Sequence, residues 1–138
     1  MSELFSAMTI SAHGMRAQSE RVRVVSENMA NASTASETPG ADPYTRQTIL
    51  FKNVLDRELG FKTVEVSKIE EDQKTPFKTK YMPDHPGADE EGYVKLPNVD
   101  PLIEAMDMQE AQRSYEANLG MIEQSRNMIL QTIDILRR

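Results

Sequence analysis

Residues 4–32 read LFSAMTISAHGMRAQSERVRVVSENMANA. Stepping through them alternately by four and three collects Leu4, Met8, Ser11, Met15, Gln18, Val22, Val25, Met29 and Ala32, a seam with seven apolar members of nine. That is the heptad spacing of a helix that buries one stripe against another helix. Charges of both signs fall between the seam positions, at Glu3, Arg16, Glu20, Arg21, Arg23 and Glu27. The helix is expected to end near Asn31, where Asn28, Asn31, Ser33, Thr34 and Ser36 accumulate, because their side chains compete for helical backbone groups.

The other end of the chain repeats the pattern. Asp100 and Pro101 form a start signal, an N-cap acceptor followed by a residue whose fixed φ suits the first helical position. A helix over 101–138 then carries a seam of Met108, Tyr115, Leu119, Ile122, Ile129, Ile133 and Leu136, interrupted by Gln112 and Arg126. All seven prolines lie between Pro39 and Pro101, so both ends are free of helix breakers. At ~1.5 Å per residue the two helices are roughly 40 and 55 Å long, more than a compact domain of this mass needs.

Composition bounds the rest. A chain of 138 residues makes one domain or one compact unit with long arms. An apolar fraction of 38%, no Trp and only four Phe and four Tyr argue against a large aromatic core. With 22 acidic against 16 basic groups, the net charge of -6 leaves no basic excess for a phosphate backbone, so nucleic-acid binding is disfavoured. The absence of Cys removes thiol chemistry, Cys-based zinc sites and disulfides. The uncharged run from Leu4 to Met15 is too short to span a bilayer, and its first basic residue, Arg16, comes after it, so neither a membrane span nor a secretory signal is expected.

Between the helices the sequence predicts strands over 44–51 and 61–69, one or two helical turns over 53–59 ended by Gly60, and a turn-rich stretch over 75–100 with short extended pieces at Tyr81 and at Tyr93-Val94. Residues 32–43 are the best linker candidate. The expected division is a helix over 1–32, a linker with a small central β/turn region over 33–100, and a helix over 101–138. The expected fold class is mainly α, with the N- and C-terminal helices paired as a coiled coil.

No chemistry is legible. His13 and His85 stand alone, and the acidic residues beside His85 read as a solvated turn held by Pro83 and Pro86. The six glycines are isolated, which excludes a phosphate cradle, and no serine has an arguable histidine and carboxylate. The expectation is no catalytic, cofactor-binding or metal site, no cofactor and no enzyme activity. What remains is the pair of stripes. One helical hairpin packed on itself leaves too much of them uncovered, so further chains are the expected source of the missing contacts.

Several motifs point further. The first helix ends in Ser26-Glu27-Asn28-Met29-Ala30-Asn31-Ala32-Ser33-Thr34, which resembles the asparagine-rich signature of the flagellar rod and hook proteins. Tyr81-Met82-Pro83-Asp84-His85-Pro86-Gly87-Ala88, Gly92-Tyr93-Val94 and Pro97-Asn98-Val99, followed by Glu104, Asp107-Met108, Arg113 and Tyr115-Glu116-Ala117-Asn118, resemble the C-type proximal rod subunit of the flagellar basal-body rod family. Ala105, Met106 and Gln109 depart from that pattern. The resemblance covers nearly the whole chain. It implies a non-enzymatic subunit of the bacterial flagellar drive shaft, located in the periplasmic rod of the basal body. Such a subunit is exported through the flagellar type III apparatus without a cleaved signal, and its terminal helices form an inner coiled-coil tube.

The implied partners are other copies of the chain, neighbouring rod subunits and basal-body components, and the export apparatus. The candidate interaction residues are Leu4, Met8, Met15, Val22, Val25, Met29 and Asn31 in the first helix, and Met108, Tyr115, Leu119, Ile122, Ile129, Ile133 and Leu136 in the last. Ser11, Gln18, Gln112 and Arg126 are expected to fix register. A cytoplasmic coiled-coil adaptor or export chaperone-like binding module shares the charge and the heptads but leaves the central motifs without a role.

Overall fold

The computed structural model describes residues 2–137. Helix α1 runs Ser2–Ala30. Strands β1, Gln47–Asp56, and β2, Phe61–Glu71, form a two-stranded sheet, and β3, Lys78–Tyr81, pairs with β4, Tyr93–Leu96, in another. Helix α2 runs Pro101–Leu136.

The helix boundaries follow their local chemistry. The Asn31 side chain donates from Nδ2 to the Glu27 carbonyl at 2.8 Å and accepts from the Thr34 hydroxyl at 3.2 Å, which closes the last turn of α1. Asp100 Oδ1 accepts from the Leu102 amide at 3.0 Å, the N-cap that Asp100-Pro101 signalled. Between β1 and β2, Asp56 Oδ1 accepts from the Glu58 and Leu59 amides, and Gly60, at a φ of 75°, completes the turn. The expected helical turns over 53–59 are therefore absent. Strand β1 continues to Asp56, and so short a connection makes the pair an antiparallel hairpin. In the smaller sheet Tyr81 faces Tyr93 with ring centroids 5.4 Å apart, edge to face.

The chain divides into two compact units, one of Met1–Val22, Leu50–Lys68 and Gln109–Arg138, the other of Arg23–Ile49 and Ile69–Met108. In the first, the buried positions are small or polar: Ser11, Gly14, Ala17, Thr63, Ala111 and Ser125. A Cβ placed on Gly14 would lie 2.8 Å from Asn118 Nδ2, and Arg21 reaches Glu110 Oε2 at 3.2 Å. Residue numbers that rise on α1 as they fall on α2 mean that the helices pass side by side in opposite directions. In the second unit Val24, Val25, Val94 and Val99 form the apolar core, and the Pro97 ring is fully buried as well.

The expected fold class needs correction. Two long helices are present, but among the described residues they show no coiled-coil pairing, and the centre holds two antiparallel sheets with strands of up to 11 residues. The reason lies in which helix face turns inward. Within the first unit that face carries Ser11, Gly14 and Ala17, which admit close backbone approach but supply no knobs to interlock, and the seam residues Leu4, Met8, Met15 and Val22 stay only half-buried. On α2 the positions with least exposure, Glu104, Ala111 and Ser125, are separated by multiples of seven, offset from the apolar seam.

Candidate assembly interface

The second unit is built around a carboxylate. Glu104, in the first turn of α2, has a relative exposure of 0%. Its Oε1 accepts from Arg46 Nε and its Oε2 accepts from Asn28 Nδ2 at 3.1 Å. Asn28 Nδ2 also donates to the Gln47 carbonyl at 2.8 Å, while Asn28 Oδ1 accepts from the Gln47 amide and the Tyr44 hydroxyl, both at 2.9 Å. Asn98 extends the network: its Oδ1 accepts from the Arg46 amide at 2.7 Å, and its Nδ2 donates to the carbonyls of Asp72 and Thr75. Arg46 also pairs with Asp107 at 3.6 Å and Asp72 at 4.0 Å. An amide is suited to the Asn28 position because it alone offers an acceptor and two donors from one short planar group.

Electrostatics keep Tyr44 and Asp72 in their bonding forms. Burial first, then the negative charges of Glu27, Glu104 and Glu71, raise the Tyr44 pKa above its usual 10.0, so the phenol remains a donor to Asn28. The Asp72 carboxyl is held below its usual value chiefly by the Thr75 hydroxyl, then by the Lys74 and Thr75 amides, with Arg46 assisting against burial.

The turn Tyr81–Ala88 is equally well tied. His85 Nδ1 accepts from the Gly87 amide at 3.0 Å, so this ring nitrogen is engaged inside the turn. Gly87 abuts the linker so closely that an added Cβ would sit 1.9 Å from the Ser36 carbonyl oxygen. The linker itself is fastened at Tyr44, whose amide donates to Thr34 O at 3.2 Å.

The candidate interaction residues lie mostly outside these interiors. Val25 alone among them is buried. Leu4, Met8, Met15, Val22, Asn31, Met108, Ile122 and Ile129 are half-buried, and Met29, Tyr115, Leu119, Ile133 and Leu136 are exposed. The structure brings Val22 and Tyr115 together, where with Ser19, Gln112 and Glu116 they line an open groove of ≈ 420 Å³ in the first unit. Exposed apolar residues that the seam omitted include Phe5, Ile10, Leu130 and Ile135 in the first unit, and Leu102, Ile103 and Met106 at the start of α2. Asn28, Arg46 and Glu104 are the important residues that spacing missed. Asn28 and Glu104 stood in the quoted motifs, and a carboxylate one turn after an N-cap was the available signal. No helix of the described residues is long and apolar enough to cross a membrane.

Over 137 aligned residues, covering 99% of this chain and 98% of the relative, the sequence is 47% identical to the flagellar basal-body rod protein FlgC of Agrobacterium fabrum. The chain belongs to the FlgC family of flagellar basal-body rod proteins. FlgC of Borreliella burgdorferi is 40% identical, with 97% of this chain and 98% of the relative covered. FlgC of Salmonella typhimurium is 35% identical, with 96% and 97% covered. Residues 90–135 match the family model described as flagellar basal body rod FlgEFG protein C-terminal. FlgC is a structural family, not an enzyme family, and this member is a structural subunit of the flagellar rod that meets other rod and basal-body components. The FlgC match therefore takes in both helices and the polar network between them.

Proposed function

We propose that this rod subunit acts in the proximal part of the drive shaft, joining further copies and neighbouring rod subunits through the apolar faces of α1 and α2 and transmitting torque without catalysis. The observation that carries the reading is the mismatch between the two kinds of helix face. The inward face is lined by small side chains, whereas Leu119 and Ile133 are each 40% exposed and Leu136 is 78% exposed. A stripe of that kind gains most when another chain removes it from water, at about 25 cal/mol per Å² of apolar surface. A contact between different patches on successive copies propagates as a helix when its rotation does not close. Ser11, Gln18, Gln112 and Arg126 then set register.

Export completes the proposal. The chain reaches the periplasmic rod through the flagellar type III apparatus without a cleaved signal, and the outer helices gain lasting order on assembly. The test is incorporation. Val22→Asp or Ile129→Asp, expressed in a motile strain that lacks its own copy, should abolish recovery of the subunit in purified basal bodies, because the introduced carboxylate would be desolvated without a partner. Normal motility with full recovery in both variants would refute assembly through these faces.

A further inference from the structure

The two compact units are stabilised by different means. In residues 23–49 and 69–108, four valines are buried and so is a polar network in which Glu104, Asn28 and Asn98 each join segments far apart in sequence. In residues 2–22, 50–68 and 109–137, the buried side chains are no larger than threonine, while Phe5, Leu55, Leu130 and Ile135 remain exposed. Alanine and serine bury little apolar area to set against the entropy of ordering two long helices.

We propose that the Glu104-centred network is a preformed helix nucleus. In the free subunit it holds residues 23–49 and 69–108 folded, including the last two turns of α1 and the first two of α2, and the outer parts of both helices grow from those stubs as further chains cover them. The covering step rests on the assembly proposed above; the nucleus does not.

The chemistry makes the lock all-or-none. A fully buried carboxylate is tolerated only while its donors are in place, so Arg46 and Asn28 must both be positioned for α2 to begin where it does. Arg46 in turn is placed by Asn98, which accepts from its amide, and Asn28 by the Gln47 backbone, which it grips on both sides. Each member fixes another, and the set joins the end of α1, the start of β1, the segment after β2 and the start of α2. The costly event in helix formation is the first turn, after which each added residue contributes its own hydrogen bond. A subunit that arrives with both first turns made therefore needs only propagation at the rod tip, starting from helix ends that are already aimed.

Hydrogen exchange on the dilute, full-length subunit, resolved by residue, tests this. The Arg46 and Gln47 amides are the reporters, because each donates to a side chain of the lock. They should exchange at least about 100-fold more slowly than unprotected amides, while those of residues 6–20 and 112–134 stay within about 10-fold of unprotected rates. Glu104→Ala should remove the protection of Arg46 and Gln47, and loss of protection throughout 23–49 and 69–108 would support the all-or-none lock. Glu104→Gln, which keeps the shape and loses the charge facing Arg46, should reduce it by at least about 10-fold. Outer helices as protected as Gln47, free exchange of Arg46 and Gln47, or unchanged protection in Glu104→Ala would each overturn the proposal. Failure here leaves the basal-body result for Val22→Asp untouched, so the two readings fail separately.

Discussion

Replacing Asn28 by Asp changes one NH₂ group to oxygen and almost nothing in volume, so it isolates the polar contribution of the lock. Asn28 is 1% exposed and its Nδ2 serves both the Gln47 carbonyl and Glu104 Oε2, at 2.8 and 3.1 Å. With Asn28→Asp both contacts become acceptor against acceptor, and one of them sets two carboxylates side by side. Two buried acceptors left without donors cost about 1–3 kcal/mol each, and breaking a buried charged cluster costs about 3–5 kcal/mol, so a loss of about 3–5 kcal/mol is expected at pH 7. Asn28→Ala leaves those two acceptors unpaired and also takes the acceptor from the Gln47 amide and the Tyr44 hydroxyl, but it adds no charge, and should lose about 2–4 kcal/mol.

The pH dependence separates the two variants. A carboxyl beside Glu104 has its folded pKa raised, so the fold tolerates its protonated form best. Its penalty is then smallest below the ordinary carboxyl range near pH 4 and grows as pH rises through it. The gap between Asn28→Asp and Asn28→Ala should close, or change sign, between pH 7 and about pH 4.5. Urea titrations of the full chain at both pH values, followed by tyrosine fluorescence, measure it. A loss for Asn28→Asp below about 0.5 kcal/mol at pH 7, or the same loss at both pH values, would refute the argument, since surface changes fall within that size.

Two further outcomes can be checked on the same protein. Gly87→Ala must displace the linker from a contact with backbone, and should cost about 1–3 kcal/mol and speed proteolysis within residues 33–43, whereas Gly120→Ala meets nothing within 4 Å and should stabilise α2 by about 1 kcal/mol; equal signs in thermal melts would count against the geometry. Asp72, with its folded pKa below the usual 3.8, contributes stability that is present above about pH 4 and is lost as pH falls through the lowered value. The deficit of Asp72→Asn should accordingly be full at pH 6 and shrink on acidification, and a deficit that grows instead would contradict the assignment to Thr75 and the Lys74 amide.

Much of the local structure was legible in the residues. Asp100-Pro101 began a helix because an acceptor and a fixed φ are local properties. Asn31 and its neighbours ended one for the same reason. The strand over 44–51 was displaced, to Gln47–Asp56, because pairing with β2 extended a segment whose own sequence allowed a helical turn. The motifs around Asn28, Asn98 and Glu104 were visible as resemblance, but their physical role was not. A hydrogen bond between residues 76 apart leaves no trace in spacing.

From the sequence alone came two long helices, an acidic chain without cysteine, and membership of the rod family through motifs spread over its length. Those features depend on local propensity and on residue identity, which any window of the chain displays. Only the tertiary structure decided which helix face turns inward. In the first unit it chose Ser11, Gly14, Ala17 and Ala111 over the larger apolar side chains, and in the second it buried a charged residue, Glu104, completely. Periodicity ranks faces by their own hydrophobicity, whereas packing ranks them by how closely two backbones can approach and by which distant partners satisfy each buried polar atom.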